Sequence, residues 1–277
     1  MPEVSILMPA YHSLGFIRES VMSLVGQSFA DWELLIISDD GLNYEPIAQL
    51  DKRIRICSTM KNASGPGVAR NIGLSKSCGK FICTLDSDDF FAPTRVEQML
   101  VVARQHGLVT TAIACVNPAG ELLTEVGVEV GGAAVVGLTN IRQYFAWNTS
   151  THSIFMFDKA QIGSLCWPEM KSYEDTVFAA QLLDRFGKAY HINEPLFLYQ
   201  KRQSSLFGAG KSDDFIRNKA ALITAIQACG FDFNNPDSAS ALTEYLRLSI
   251  QAEHDFAAQN VLGSNLTFEE VFARANK

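Results

Sequence analysis

The segment FICTLDSDDFF, residues 81–91, runs three carboxylates straight off an apolar stretch. In an extended chain, residues two apart project to the same side. Asp86 and Asp88 therefore aim at one point, while Ser87 and Asp89 aim away. Two convergent carboxylates repel each other unless a cation sits between them. A hard divalent ion such as Mg2+ or Mn2+ takes oxygen ligands and often bridges a carboxylate to a substrate diphosphate. Standing alone, the D-x-D spacing fits an acidic turn with Asp89 as a helix cap equally well, because short motifs recur by chance. A second acidic group, Asp39-Asp40-Gly41, follows another apolar run. It reads either as an Asp-Gly turn or as carboxylates that accept hydrogen bonds from a base or a ribose. Further on, SGPGVARNIG sets Arg70 and Asn71 in the first turns of a helix opened by Pro66, where Arg70 faces a phosphate or solvent. Gly65 and Gly67 lack the spacing of a dinucleotide fingerprint. Glu174 and Asp175 head a later helical stretch, and Ser172 with Asp175 also matches a capping pattern.

The elements that must position these residues alternate. Apolar runs at 4–8, 34–37, 54–57 and 81–85 read as strands, and helical spacing recurs at 16–27, 67–77 and 95–106. Continuous apolar strands alternating with helices predict an α/β fold, with a mostly parallel Rossmann-like sheet flanked by helices. Such sheets bind ligands beyond the carboxyl ends of their strands, and Pro9-Ala10-Tyr11, Asp39-Asp40 and Asp86 to Asp89 all follow strand ends. Beyond residue 106, strands are expected at 108–116 and 122–130, with a glycine-rich break at 131–137. A further strand is expected at 153–157, a helix at 174–186, a strand at 191–200, and helices from 213 onward with a loop at 233–238. The division follows as residues 1–106, 107–206 and a C-terminal helical segment, 207–277.

Composition narrows the partners. A net charge of −7 over 277 residues argues against a nucleic-acid partner. No apolar stretch of about 18 residues is present to span a membrane, and the start of the chain reads as a first strand rather than a signal peptide. The six cysteines are scattered without a CxxC pair, a pattern of reduced thiols, and the five histidines show no metal-ligand spacing. A cytoplasmic protein is expected.

Taken together, VSILMPAYHS, SLVGQSFADWELLIISDDG and GPGVARNIGLSKSCGKFICTLDSDDFF resemble the nucleotide-sugar half of inverting family 2 glycosyltransferases of the GT-A fold. The likeness runs nearly continuously from residue 3 to about 100, and the order of its motifs makes it specific. It implies that Pro9 and Tyr11 line a nucleobase pocket and that Asp40, with Asp39, binds uracil or another base. Arg70 would lie near the base or phosphates, Asp86 with Ser87 on the ribose and metal side, and Asp88 on the metal. The cofactor implied is Mn2+ or Mg2+. The likeness also implies a base in a short acidic motif heading a later helix: Asp175, with Glu174 orienting the acceptor or the loop. Members commonly carry Tyr-Arg-x-His after that helix. This chain has YQKRQSS instead, so Lys201 and Arg202 stand where a cation could hold the diphosphate directly. The donor implied is a nucleotide sugar, with UDP expected, and the acceptor a saccharide or lipid-linked hydroxyl. Polysaccharide synthesis at the inner face of a membrane, with peripheral membrane contact, follows by analogy. His152, Trp147 and Trp167 either touch sugar or pack in the core. A D-x-D phosphatase is the rival enzyme, but Phe90 stands where its pattern has a small β-branched residue. A nucleotide-binding protein of the same fold without transfer activity is the non-enzymatic alternative.

Overall fold

In the computed structural model, which describes residues 1–126, 135–137, 141–147, 152, 154–201, 212–260, 268 and 271–272, one 10-stranded sheet carries the whole architecture. Four strands form its parallel part: β1 (Val4–Ala10), β2 (Trp32–Ser38), β3 (Ile54–Ser58) and β4 (Phe81–Thr84), in the order β3-β2-β1-β4. Every residue of β2 and β4 is buried, because helices cover both faces and leave no polar side. The covering helices include α1 (Ile17–Val25), α2 (Glu45–Ala48), α3 (Pro66–Lys76) and, after the two-residue strand β5 (Phe90–Phe91), α4 (Arg95–His106). In α1, Ile17, Ser20, Val21 and Leu24 are buried, the spacing of a single helix face. Gly107, at φ 79°, ends α4 in the left-handed conformation that glycine adopts without strain.

Past α4 the sheet becomes mixed. β6 (Leu108–Val116) and the antiparallel β7 (Leu122–Val126) form a hairpin through the turn at Asn117 to Gly120. β8 (Val135–Gly137) lies within the stretch expected to be a glycine-rich break, and α5 (Ile141–Trp147) was not anticipated. β9 (Met156–Asp158) enters antiparallel between β4 and β6 and so joins the two halves of the chain into one sheet. α6 (Glu174–Phe186) follows, then β10 (Tyr190–Gln200), which is parallel to β6 and antiparallel to β5 and β8. The chain continues into α7 (Ser212–Gln227) and α8 (Pro236–Asn260), which begins inside the expected loop. The helices α7 and α8 pack on each other, and α8 also packs on α5 and α6. All six cysteines are unpaired thiols. Among the described residues, no helix is long and apolar enough to cross a membrane.

Candidate active site

The parallel register aligns the strand ends. Ala10 pairs with Ser38, and Leu7 with Thr84, so the segments after β1, β2 and β4 emerge side by side. Pro9 is half-buried and Tyr11 is 48% exposed at this edge, its ring against His12. Asp40 ties the first two segments together. Its Oδ2 accepts from the His12 N–H at 2.6 Å and the Tyr44 hydroxyl at 2.9 Å, and its Oδ1 from the Leu42 N–H at 2.9 Å and the Ser38 hydroxyl at 3.1 Å. Burial works to raise this carboxyl. The bonds from Leu42, His12, Tyr44 and Ser38 outweigh it and hold the group below its usual range. Four donors fill the acceptor sites of a carboxylate. Asp39, 3% exposed, accepts from the Thr59 hydroxyl and from the Gly65 N–H, both at 2.8 Å, and so keeps acceptor capacity that Asp40 has spent. The sequence reading gave the base to Asp40, with Asp39; in the structure the acceptor sites of Asp40 are filled by protein donors and Asp39 is buried.

Arg70 departs most from expectation. It is neither solvated nor open to a phosphate: it is 3% exposed, and its guanidinium is divided between two carboxylates. One nitrogen donates to Asp86 Oδ1 and the other to Glu174 Oε1, each at 2.7 Å, although Glu174 lies 104 residues away in the chain. Burial disfavours the cation, but Asp86, Glu174 and Asp175 more than offset it and raise its pKa. A sequence signal for this burial exists: Gly67, Ala69 and Gly73, small residues on the same helix, are buried with Arg70. Small side chains of this kind let another segment approach closely. A Cβ on Gly67 would stand 2.6 Å from the Pro168 carbonyl oxygen and 3.2 Å from Glu174 Cγ. Asn71 adds a two-way clamp, donating to the Trp167 carbonyl and accepting from the Trp167 N–H, both at 2.8 Å. α3 thus holds the segment before α6 through Asn71, and Arg70 on the same helix holds Glu174 and Asp86. Trp167 itself packs in the core, stacked on Phe178 at 3.9 Å.

Glu174 is buried. Burial and the Asp175 charge push its carboxyl up to about 7, with Arg70 opposing. Asp175 is half-buried; its Oδ1 accepts from the Thr176 N–H at 2.7 Å and its Oδ2 from the His152 N–H at 3.2 Å. The pattern of Ser172 with Asp175 makes no capping box. The residue before the helix is Tyr173, held at φ 66° with no side-chain cap bond. A left-handed tyrosine costs on the order of 1–2 kcal/mol, strain stored immediately before the two acidic residues.

Asp86, Ser87 and Asp88 are half-buried at the mouth of β4. The Ser87 carbonyl accepts from the Ser20 hydroxyl, which fixes the loop to α1. Asp89 is no helix cap. It is buried and accepts from the Gln200 N–H at 2.9 Å, which pins the end of β10 beside the acidic run. Sequence reasoning gave Asp89 no such role. Lys201 follows at once, its N–H donating to the Val116 carbonyl at 2.8 Å. Arg202 and the side chain of Trp147 lie outside the described residues. No group of three or more metal-ligating side chains stands among the described residues. Asp86 and Asp88 are two carboxylates of the donor type that suits a hard divalent ion.

The family model described as "Glycosyl transferase family 2" matches residues 5–157, more than half of the chain. A Haemophilus influenzae protein described as an uncharacterized glycosyltransferase is 38% identical over 116 residues, 40% of this chain and 46% of that one. The Escherichia coli UDP-Glc:alpha-D-GlcNAc-diphosphoundecaprenol beta-1,3-glucosyltransferase WfgD is 36% identical over 100 residues, 35% of this chain and 39% of its own. The chain thus matches less than half the length of these two relatives. It spans 81% of Bacillus subtilis TuaG, a glycosyltransferase provisionally assigned to teichuronic acid biosynthesis, at 26% identity over 74% of this chain. Among solved structures, S. aureus TarS 1-349 in complex with UDP-GlcNAc superposes with a TM-score of 0.70 at 17% identity, over 99% of this chain and 79% of that one. That likeness is one of fold.

Proposed function

The chain belongs to glycosyl transferase family 2, and from that membership we propose that it transfers a sugar from a UDP-sugar to an acceptor hydroxyl with inversion at the anomeric carbon. The observation that carries this reading is the Arg70 bridge, which joins the donor-side Asp86 to the residue next to Asp175. The UDP-GlcNAc held by TarS and the UDP-Glc and lipid-linked diphosphate in the name of WfgD favour a UDP-sugar donor and a saccharide or lipid-linked acceptor. The phosphatase alternative falls with the family assignment.

In this reading, Asp39 accepts a hydrogen bond from the base, with Tyr11 and Pro9 beside it. Asp86 and Asp88 would hold Mg2+ or Mn2+, which when bound supplies Lewis-acid stabilisation of the diphosphate leaving group. Lys201 supplies a cation from the end of β10. Asp175 takes the proton of the acceptor hydroxyl as its oxygen bonds to the anomeric carbon. On the opposite face, the bond from that carbon to the phosphate oxygen breaks, its electron pair leaves with UDP, and the configuration inverts. Arg70 and Glu174 take no proton in this scheme; they hold the two halves of the site at a fixed distance.

Thermal denaturation in the presence of UDP-, GDP- and dTDP-sugars, with and without Mn2+, tests the reading. A ligand that binds only the native state raises Tm. UDP-sugars should raise it, and further with Mn2+. If no nucleotide sugar shifts Tm under either condition, the proposal fails.

A further inference from the structure

The helix that carries the acidic pair also packs on α8. His152 is 7% exposed, and its ring lies between two tyrosine hydroxyls. Nδ1 is 3.0 Å from the Tyr144 oxygen on α5, and Nε2 is 3.2 Å from the Tyr245 oxygen on α8. A neutral imidazole offers one N–H and one lone pair, so one tyrosine accepts and the other donates. Burial lowers the imidazole to about 4 against the pull of Asp175, which keeps the ring neutral at pH 7. Phe145 meets the ring edge-on at 5.0 Å and stacks on Tyr245 at 4.5 Å, which limits rotation of both. α8 grips α6 a second time through Asp184, whose carboxylate accepts from the Asn234 and Asn235 N–H groups and the Ser238 hydroxyl at 2.6, 3.0 and 2.7 Å.

Resting on the transferase reading, we propose that Tyr245 and His152 are positioning residues for the base, with α8 fixing the His152 ring so that its backbone N–H sets the direction of the Asp175 carboxylate. Thr176 holds one carboxylate oxygen and His152 the other, so the lone pair presented to an acceptor hydroxyl has a fixed direction. Alignment of this kind is worth a large factor in rate, because a misplaced base loses its hydrogen bond to the proton it must take. The C-terminal helix then belongs to the catalytic apparatus.

The test is steady-state hydrolysis of the UDP-sugar that gives the largest Tm shift, with UDP affinity measured by calorimetry, in wild type, Tyr245→Phe, His152→Phe and the double variant. Tyr245→Phe removes one hydroxyl and keeps the packing. It should lower kcat about tenfold while the Kd for UDP stays within about twofold. The double variant should lose no more than His152→Phe alone, since both residues act through one chain of contacts. A purely structural role would lower Tm and leave the kcat of folded protein unchanged. Full kcat in Tyr245→Phe, or multiplicative losses in the double variant, overturns the positioning role alone. A wild type that neither binds UDP nor turns over any UDP-sugar overturns the transferase reading itself.

Discussion

Arg70 is the residue on which the two halves of the site meet. A buried cation shared by two carboxylates leaves both uncompensated when it is removed, and breaking such a pair costs about 3–5 kcal/mol. Arg70→Ala should lower stability by at least about 3 kcal/mol in urea denaturation, with Arg70→Lys intermediate because an ammonium lacks the fork that reaches both partners. A loss under about 1 kcal/mol would mean that the bridge does not form in solution. Two further buried groups make opposite pH contributions. The Glu174 carboxyl, about 7 in the fold against an ordinary 4.5, favours the folded state below 4.5, and that contribution is lost as pH rises through 7. The His152 imidazole, about 4 against an ordinary 6.5, contributes fully above 6.5, and its share is lost as pH falls through 4. The two contributions run in opposite directions with pH. Wild-type stability should therefore change less between pH 4.5 and 6.5 than that of a variant lacking either group. Glu174→Gln should show stability rising with pH across that window, and His152→Phe should show it falling. Parallel profiles in the two variants would contradict these assignments.

At the scale of elements, α3 and α8 both pack on α6. Gly67 allows the first contact, since only a residue without a Cβ fits against the Pro168 carbonyl. Gly67→Ala gains about 1 kcal/mol of helix propensity but forces the segment before α6 outward, an overpacking cost of about 1–3 kcal/mol. Turnover should fall more than stability does, read as kcat against Tm; unchanged kcat would show that the close approach is dispensable. Asp184→Ala removes three bonds to a charged acceptor at the start of α8 and should cost about 2 kcal/mol in chemical denaturation, and a cost near zero would show α8 anchored elsewhere. The parallel strands were legible because burial on both faces leaves an uninterrupted apolar run, as at Leu34 to Ile37. β5 and β8 were not, because two or three residues carry no period; β5 exists because Phe90 and Phe91 pair with β10. α5 was hidden because its seven residues are too few for a helical pattern to stand out. At the site, the sequence singles out Asp39, Asp40, Asp86, Asp88 and Asp175 by type and order. Their partners were not legible: Arg70 with Glu174, Asp89 with Gln200 and Asp175 with His152 are pairs that only tertiary folding brings together.

For the whole molecule, β9 is the decisive connection. By entering antiparallel between β4 and β6, it places the half that ends at the D-x-D run and the half that carries Glu174 and Asp175 in a single sheet. Arg70 then closes the gap between them. Among the described residues, the buried Arg70 cation faces the carboxyl groups of Asp86, Glu174 and Asp175. The central claim is that Asp175 acts on a donor held by the other half of the chain. The direct test is turnover of the preferred UDP-sugar by Asp175→Asn, with UDP affinity measured on the same preparation. Loss of turnover by about a hundredfold or more, with the Kd for UDP within about twofold of wild type, is the predicted result. Turnover within a few-fold of wild type would contradict the account.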